Sequence, residues 1–161
     1  MRLTIFAVGR MKSGPETELV SRYTDRLAKA GKALGLEFDG LTEIPESRAQ
    51  TAAQRKSEES DKCAALAREA STVLILLDER GKSPSSRQFA DKISSWRDNG
   101  TARAIFAIGG PDGHDPALRA RADLVLSFGS QTWPHQLARI MLAEQLYRAV
   151  TILSGHPYHR D

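Results

Sequence analysis

The feature that most constrains this chain is a pair of uninterrupted apolar runs, Val73 to Leu77 and Ala104 to Ile108, each five residues long and bounded by polar or turn residues. A strand with one wet face alternates apolar and polar side chains. A run without alternation belongs where both faces are covered, in the interior of a parallel sheet with helices on either side. Around these runs the chain alternates strand and helix signals without internal repeats or low-complexity linkers, which predicts an α/β fold on a parallel sheet. A length of 161 residues predicts a single domain, residues 1–161, with no separate substrate domain. Neither run approaches the roughly 20 residues that span a bilayer. The N-terminal stretch Leu3 to Val8, interrupted by Thr4, is shorter than the about 7–15 residues of a signal-peptide core. The expectation is a cytoplasmic protein without a membrane span. Cys63 is the one cysteine, which excludes an internal disulfide and a Cys-rich zinc site.

Leu3 to Val8 reads as a first strand, stopped by Gly9. Gly14-Pro15 opens a helix with Glu16 and Glu18 near its positive end and Leu19, Tyr23 and Leu27 as its buried stripe. Leu36 to Leu41 is a weaker strand, and Ser47 to Ala70 is a long Ala-rich segment with Cys63, Leu66, Ala67 and Ala70 on one face. After the Val73 strand, Ser85 or Ser86 caps a helix carrying Phe89, Ile93 and Trp96, and Asn99-Gly100 ends it. Arg103 to Ile108 is the next strand, Asp115-Pro116 caps a short helix, Leu124 to Phe128 is a strand, and a helix runs from about His135 to Leu153.

Several motifs can be tested against phosphate and nucleophile chemistry. Gly81-Lys82-Ser83 resembles the end of a P-loop, but the required upstream glycine falls on Leu76, inside a strand. The Gly109 to Gly113 segment follows a strand as a dinucleotide fingerprint does, yet its spacing is wrong and Pro111 removes an N–H that a pyrophosphate needs. It remains either a cofactor-contacting turn at a strand's carboxyl end or a tight turn alone. No Gly-x-Ser-x-Gly elbow is present, and His156 and His159, kept off a helix by Pro157, are accompanied by no carboxylate or Cys cluster, so no metal is expected. Trp133-Pro134-His135 precedes the last helix, where an aromatic ring can either sandwich a flat base or plug the core. The tail packs two imidazoles, a phenol and a guanidinium into five residues, His156 to Arg160, groups that donate protons, stack or bind phosphate, or else dock a polar terminus.

Lys and Arg number 23 against 20 Asp and Glu, a net charge of +3. The excess is local: residues 1–35 hold seven Lys/Arg against three acids. Arg outnumbers Lys sixteen to seven, which permits a nucleic-acid partner without requiring one.

The segments Ile108-Gly109-Gly110-Pro111-Asp112-Gly113, Thr132-Trp133-Pro134-His135, Ala143-Glu144-Gln145-Leu146-Tyr147-Arg148-Ala149 and His156-Pro157-Tyr158-His159-Arg160 resemble, in order and spacing, the ribosomal RNA large subunit methyltransferase H family, a branch of the SPOUT methyltransferases. The resemblance extends over the whole chain, including Ala7-Val8-Gly9 and Leu77-Asp78-Glu79-Arg80-Gly81-Lys82. It implies a parallel-sheet α/β/α fold with a C-terminal deep trefoil knot, a feature that patterning alone does not reveal. It also implies a homodimer that binds S-adenosyl-L-methionine through Leu77, Gly110, Ser130, Gln131, Thr132, Trp133, Pro134 and His135. The implied reaction is methylation of N3 of a pseudouridine in a hairpin loop of 23S ribosomal RNA, within the assembled ribosome. Uracil-type N3 carries a proton and needs a base or a stabiliser of developing charge, for which the tail offers His159 as base, Tyr158 to orient or stack, and Arg160 to hold phosphate or a uracil oxygen. Leu137, Ile140, Met141, Leu146 and Tyr147 give the last helix more apolar surface than one sheet face needs, an independent argument for a dimer. Arg10, Lys12, Arg22 and Arg26 are the expected contacts to a ribosomal surface. The alternatives are a SPOUT methyltransferase with another RNA target, or a non-catalytic ribosome-binding or nucleotide-binding α/β domain.

Overall fold

The computed structural model describes residues 1–160. Its elements are β1 (Arg2–Val8), α1 (Pro15–Gly31), β2 (Glu37–Ile44), α2 (Ala52–Leu66), β3 (Thr72–Lys82), α3 (Ser86–Asp98), β4 (Arg103–Ile108), α4 (Pro116–Ala120), β5 (Leu124–Leu126) and α5 (His135–Leu153). The strands form one parallel sheet in the order β2-β1-β4-β3-β5. The two apolar runs are its adjacent interior strands, with Thr72 to Leu77 in register against Arg103 to Ile108.

Both faces of the sheet are covered, as those runs require. Leu3, Ile5, Ala7, Ile75, Phe106 and Ile108 point to a layer formed by α1, α3 and α5 and pack on Leu27, Phe89, Ile93, Leu142 and Leu146. The alternate residues Phe6, Val8, Leu74, Leu76, Ile105 and Ala107 meet Cys63 of α2 and Leu118 of α4 in a smaller layer. Crossovers that step toward the β2 edge run over the first layer, and those that step toward β5 run over the second. The four parallel crossovers therefore share one hand, as βαβ units do.

Local chemistry sets the helix boundaries. Thr51 with Gln54 and Ser85 with Gln88 form capping boxes that start α2 and α3, and the Asp115 side chain caps α4. The Ala-rich helix is accordingly shorter than the sequence pattern: residues 47–51 precede it as irregular chain, Ser47 donates its N–H to Glu59, and Ser71 turns the chain with φ 58°. In α1 the fully buried positions are Val20, Thr24, Leu27 and Gly31, with Leu19 and Tyr23 half-buried. Thr24 is tolerated inside because its hydroxyl bonds back to the Val20 carbonyl at 3.0 Å. β5 ends at Leu126, two residues before the apolar pattern does, because Ser127 turns its polar groups to the neighbouring loop.

That neighbouring loop gives the carboxyl edge its unusual feature. Leu77 and Lys82 both pair with Leu126, so residues 78–81 leave the ladder and return to the same residue of β5. Ser127 N–H donates to Lys82 O at 2.8 Å, and its hydroxyl lies 3.1 Å from the Glu79 carbonyl and 2.7 Å from that of Gly129. Gly81 sits so close to this strand that a Cβ there would be 2.6 Å from the Val125 carbonyl oxygen. Backbone cannot retreat as a flexible side chain does. Replacing Gly81 with Ala is expected to destabilise the fold by about 1–3 kcal/mol. A urea midpoint equal to that of the unsubstituted protein would show that this contact is looser than described.

Candidate functional site

Three chain reversals at the carboxyl edge of the sheet enclose a cavity of about 270 Å³. Its walls come from Leu77 to Arg80 where β3 leaves the ladder, Ile108 to His114 at the end of β4, and Leu126 to Gly129 at the end of β5, and the last loop closes it with Gln131, Thr132, Trp133 and His135. Connections leave β3 and β4 toward opposite faces, the arrangement that opens a ligand crevice in parallel sheets. Of the cofactor positions expected from sequence, Leu77, Gly110, Gln131, Thr132, Trp133 and His135 line this one cavity. Ser130 and Pro134 are exposed residues of the same loop, outside the lining.

The glycine turn is fixed from behind. Gly110 accepts the Gly113 N–H at 2.9 Å, and a Cβ on Gly110 would lie 2.7 Å from a carboxylate oxygen of buried Glu59 and 3.1 Å from Val8 Cγ1. A side chain there would require the Glu59 carboxylate to shift. Arg55 of α2 grips Asp112 through Nε to Oδ2 at 2.7 Å and Nη2 to Oδ1 at 3.1 Å. This fork holds the Asp112 carboxyl below the usual carboxylate range and raises the Arg55 guanidinium. Next in the turn, His114 is largely buried, with Nε2 3.1 Å from the Leu77 carbonyl oxygen. Burial lowers the imidazole pKa below its ordinary value against the opposing pull of the Leu77 and Ala107 carbonyls, and a neutral ring that donates to Leu77 carries its proton on Nε2.

On the β3 side, partial burial opposes ionisation of Asp78, but the Arg80 N–H at 2.8 Å and the ion pair with Arg119 of α4 outweigh it and bring its pKa to about 2. Glu79 accepts from the Thr132 hydroxyl at 2.9 Å, which ties the third loop to the first. Trp133 is 38% exposed, with its indole N–H 3.4 Å from the Phe128 carbonyl, so its ring stands at the mouth of the cavity and is not a core plug.

Arg139, one turn beyond His135, anchors α5. It is 2% exposed, pairs with Glu43 at 2.6 Å, and donates to the carbonyls of Val8 at 2.7 Å and Gly9 at 2.6 Å. Burial pulls its pKa down and Glu43 opposes that shift. Reasoning from sequence missed Asp78, His114 and Arg139. Asp78 and His114 carried a signal, since each is a polar residue flanking a strand-end turn. Arg139 had a weaker one, a charge within the apolar stretch of α5.

The tail is brought elsewhere. Tyr158 packs on Tyr147 with ring centroids 4.8 Å apart, lies under the Arg148 guanidinium at 4.9 Å, and donates its hydroxyl to Glu144 at 3.0 Å. His159 Nδ1 is 3.2 Å from Arg148 Nη1, and Arg160 is exposed. None of the three lines the cavity of their own chain. Asp161 lies outside the described residues. Among the described residues no group of His, Cys, Asp and Glu is arranged to hold a metal ion, and no helix is long and apolar enough to cross a membrane.

Residues 1–159 match the family described as Predicted SPOUT methyltransferase. Two relatives bear the name Ribosomal RNA large subunit methyltransferase H. The Brucella anthropi protein is 65% identical over 161 residues, covering 100% of both chains. The protein of Chelativorans sp. (strain BNC1) is 62% identical and is matched over 100% of this chain and 92% of its own length. Among solved structures, a probable methylase family protein from Haemophilus influenzae Rd KW20 superposes with a TM-score of 0.53 at 13% identity, over 99% of this chain and 70% of that one, a likeness of fold.

The Asp78 environment has a testable pH signature. Its folded pKa lies below the ordinary 3.8, so its ionised form stabilises the protein above that value, and the contribution is lost as pH falls through about 2. Asp78→Asn is expected to lower the urea midpoint at neutral pH, with the deficit closing as pH approaches 2. A deficit that stays constant with pH would mean that the Asp78 charge contributes nothing.

Proposed function

The chain belongs to the SPOUT methyltransferase family, and from that premise we propose that it methylates N3 of a pseudouridine in 23S ribosomal RNA from S-adenosyl-L-methionine, acting in the cytoplasm on the assembled ribosome. The observation that carries the proposal is the convergence of Leu77, Gly110 and the 131–135 loop on one cavity at the carboxyl edge. The large-subunit ribosomal RNA named for the relatives supports the choice of substrate.

The residues present suit an amphipathic nucleoside. Leu77, Ile108, Leu126 and Phe128 supply apolar walls for a purine ring, while three strand ends and the glycine turn supply main-chain donors and acceptors for its edges. When bound, the cofactor supplies a methyl group on a positively charged sulfur. The protein's part is to bind and orient, because methyl transfer needs little covalent help once the acceptor is in line. Gly110 admits close backbone approach, and the Thr132–Glu79 contact holds the third loop over the first. We also infer that the single domain closes a deep trefoil knot, since residues 125–129 run beside the 78–82 return before α5 crosses back to the α1 and α3 layer.

The tail reading requires a second copy. Tyr158 docks at Glu144, six residues and roughly 9 Å along α5 beyond Ala138 of the cavity wall. The two large hydrophobics most exposed to solvent, Trp133 at 38% and Leu137 at 41%, adjoin the cavity, where a second copy would cover them. In a homodimer one tail then reaches the partner's cavity, with Tyr158 orienting the base and Arg160 holding a phosphate or a uracil oxygen. For His159 to take the N3 proton it must release the Arg148 hydrogen bond, because that bond occupies the lone pair of the neutral ring.

The test is transfer of labelled methyl from S-adenosyl-L-methionine to ribosomes lacking the modification. Label is expected at one pseudouridine of the large-subunit RNA. Truncation after Pro157 is expected to reduce transfer at least about 100-fold with cofactor binding retained. Label confined to another RNA would identify a different SPOUT target. Cofactor binding with no label on any RNA would make the protein a non-catalytic domain, and full transfer by the truncated chain would remove the tail from catalysis.

A further inference from the structure

His114 stands where the glycine turn meets the end of β3. Leu77 is the last residue of β3 in register with β4, opposite Ile108, and beyond it the chain leaves the sheet. Its carbonyl therefore lies at the point where the ladder no longer dictates the backbone, and it faces the His114 Nε2 at 3.1 Å. The ring fills the space against Gly109, where a Cβ would be 3.2 Å from its Cε1. We propose that His114 is the positioning residue of the cofactor cavity: its Nε2–H, bonded to the Leu77 carbonyl, fixes the β3 wall relative to the glycine turn. The inference rests on the cofactor reading of this cavity.

The charged groups around the ring define what its proton does. Asp78 at the end of β3 favours an imidazolium, Arg119 of α4 opposes it, and these two are paired with each other. Around the same cavity stand Glu79, bonded to Thr132, Arg80 beside Asp78, Asp112, held by Arg55, and His135. Burial decides in favour of the neutral ring. A nucleoside seated in the cavity buries the ring further, so ligand binding and protonation of His114 oppose each other.

S-adenosylhomocysteine is the probe of choice, since its uncharged sulfur separates positioning from charge repulsion. Calorimetry is expected to show about tenfold weaker binding for His114→Leu, which keeps apolar volume and loses the donor. Affinity within about threefold of the unsubstituted protein is expected for His114→Gln, whose amide reaches the same carbonyl. Nitrogen-15 NMR of the ligand-free protein is expected to show the Nε2–H tautomer and a titration midpoint below 6.5 that falls further when the probe binds. Unchanged affinity in the Leu variant, a ring protonated at Nδ1 alone, or a midpoint that rises on binding would overturn the proposal. If the Leu variant does not fold, the Gln variant and the NMR midpoint decide. Failure of the unsubstituted protein to bind the probe would overturn the cofactor reading itself and the positioning role with it, whereas equal binding by all three proteins would overturn only the role of His114.

Discussion

Close backbone contact between Gly81 and the Val125–Leu126 strand is the constraint on which the rest of the carboxyl edge depends. It holds the 78–82 return against β5 and leaves the chain after Ser127 one course, across the ends of β3 and β4 toward the start of α5. The 129–134 loop thereby closes over Leu77 and the glycine turn. A conventional parallel sheet leaves such a crevice open above its strands. Here the chain roofs it with its own backbone.

Charged side chains, one buried and the others at the partly exposed rim, hold that roof in place. Arg139 fixes the first turns of α5 to the ends of β1 and β2, Arg55 fixes the glycine turn to α2, and Asp78 with Arg119 fixes the β3 return to α4. Partly exposed pairs such as Arg55 with Asp112 add little net stability, because solvent screens most of the attraction. Their effect is geometric: each ties one wall of the cavity to a different helix, so the walls are set before any ligand arrives. The Glu59 carboxylate stands directly behind Gly110 and crowds that position against any side chain.

Much of this was legible in the chain. Apolar runs located β3 and β4, Ser85 and Asp115 marked helix starts, and the bounds of β4 and α5 follow directly from composition and punctuation. Grouping Leu77, Gly110 and the 131–135 loop came from resemblance to a family, since residues far apart in sequence meet only through the topology. The extension of β3 to Lys82 was not readable, because Asp78-Glu79-Arg80-Gly81 carries turn residues and its pairing with Leu126 depends on where β5 lies. Local patterning marks Arg139 only as a charge within an apolar stretch and does not give its partners, main-chain carbonyls about 130 residues away. The docking of Tyr158 on Tyr147 and Glu144 is also a tertiary fact, and it holds the tail away from the cavity of its own chain.

The central claim is that the three reversals at the carboxyl edge form one preorganised nucleoside site. Backbone NMR of the isotopically labelled protein titrated with S-adenosyl-L-methionine tests it most directly. The account predicts shift changes concentrated in residues 77–80, 108–114 and 127–135, with the helix-facing strand residues Leu3, Ile5 and Phe106 unmoved. Saturable changes centred elsewhere, along α1 or α2, or no change at all, would contradict it.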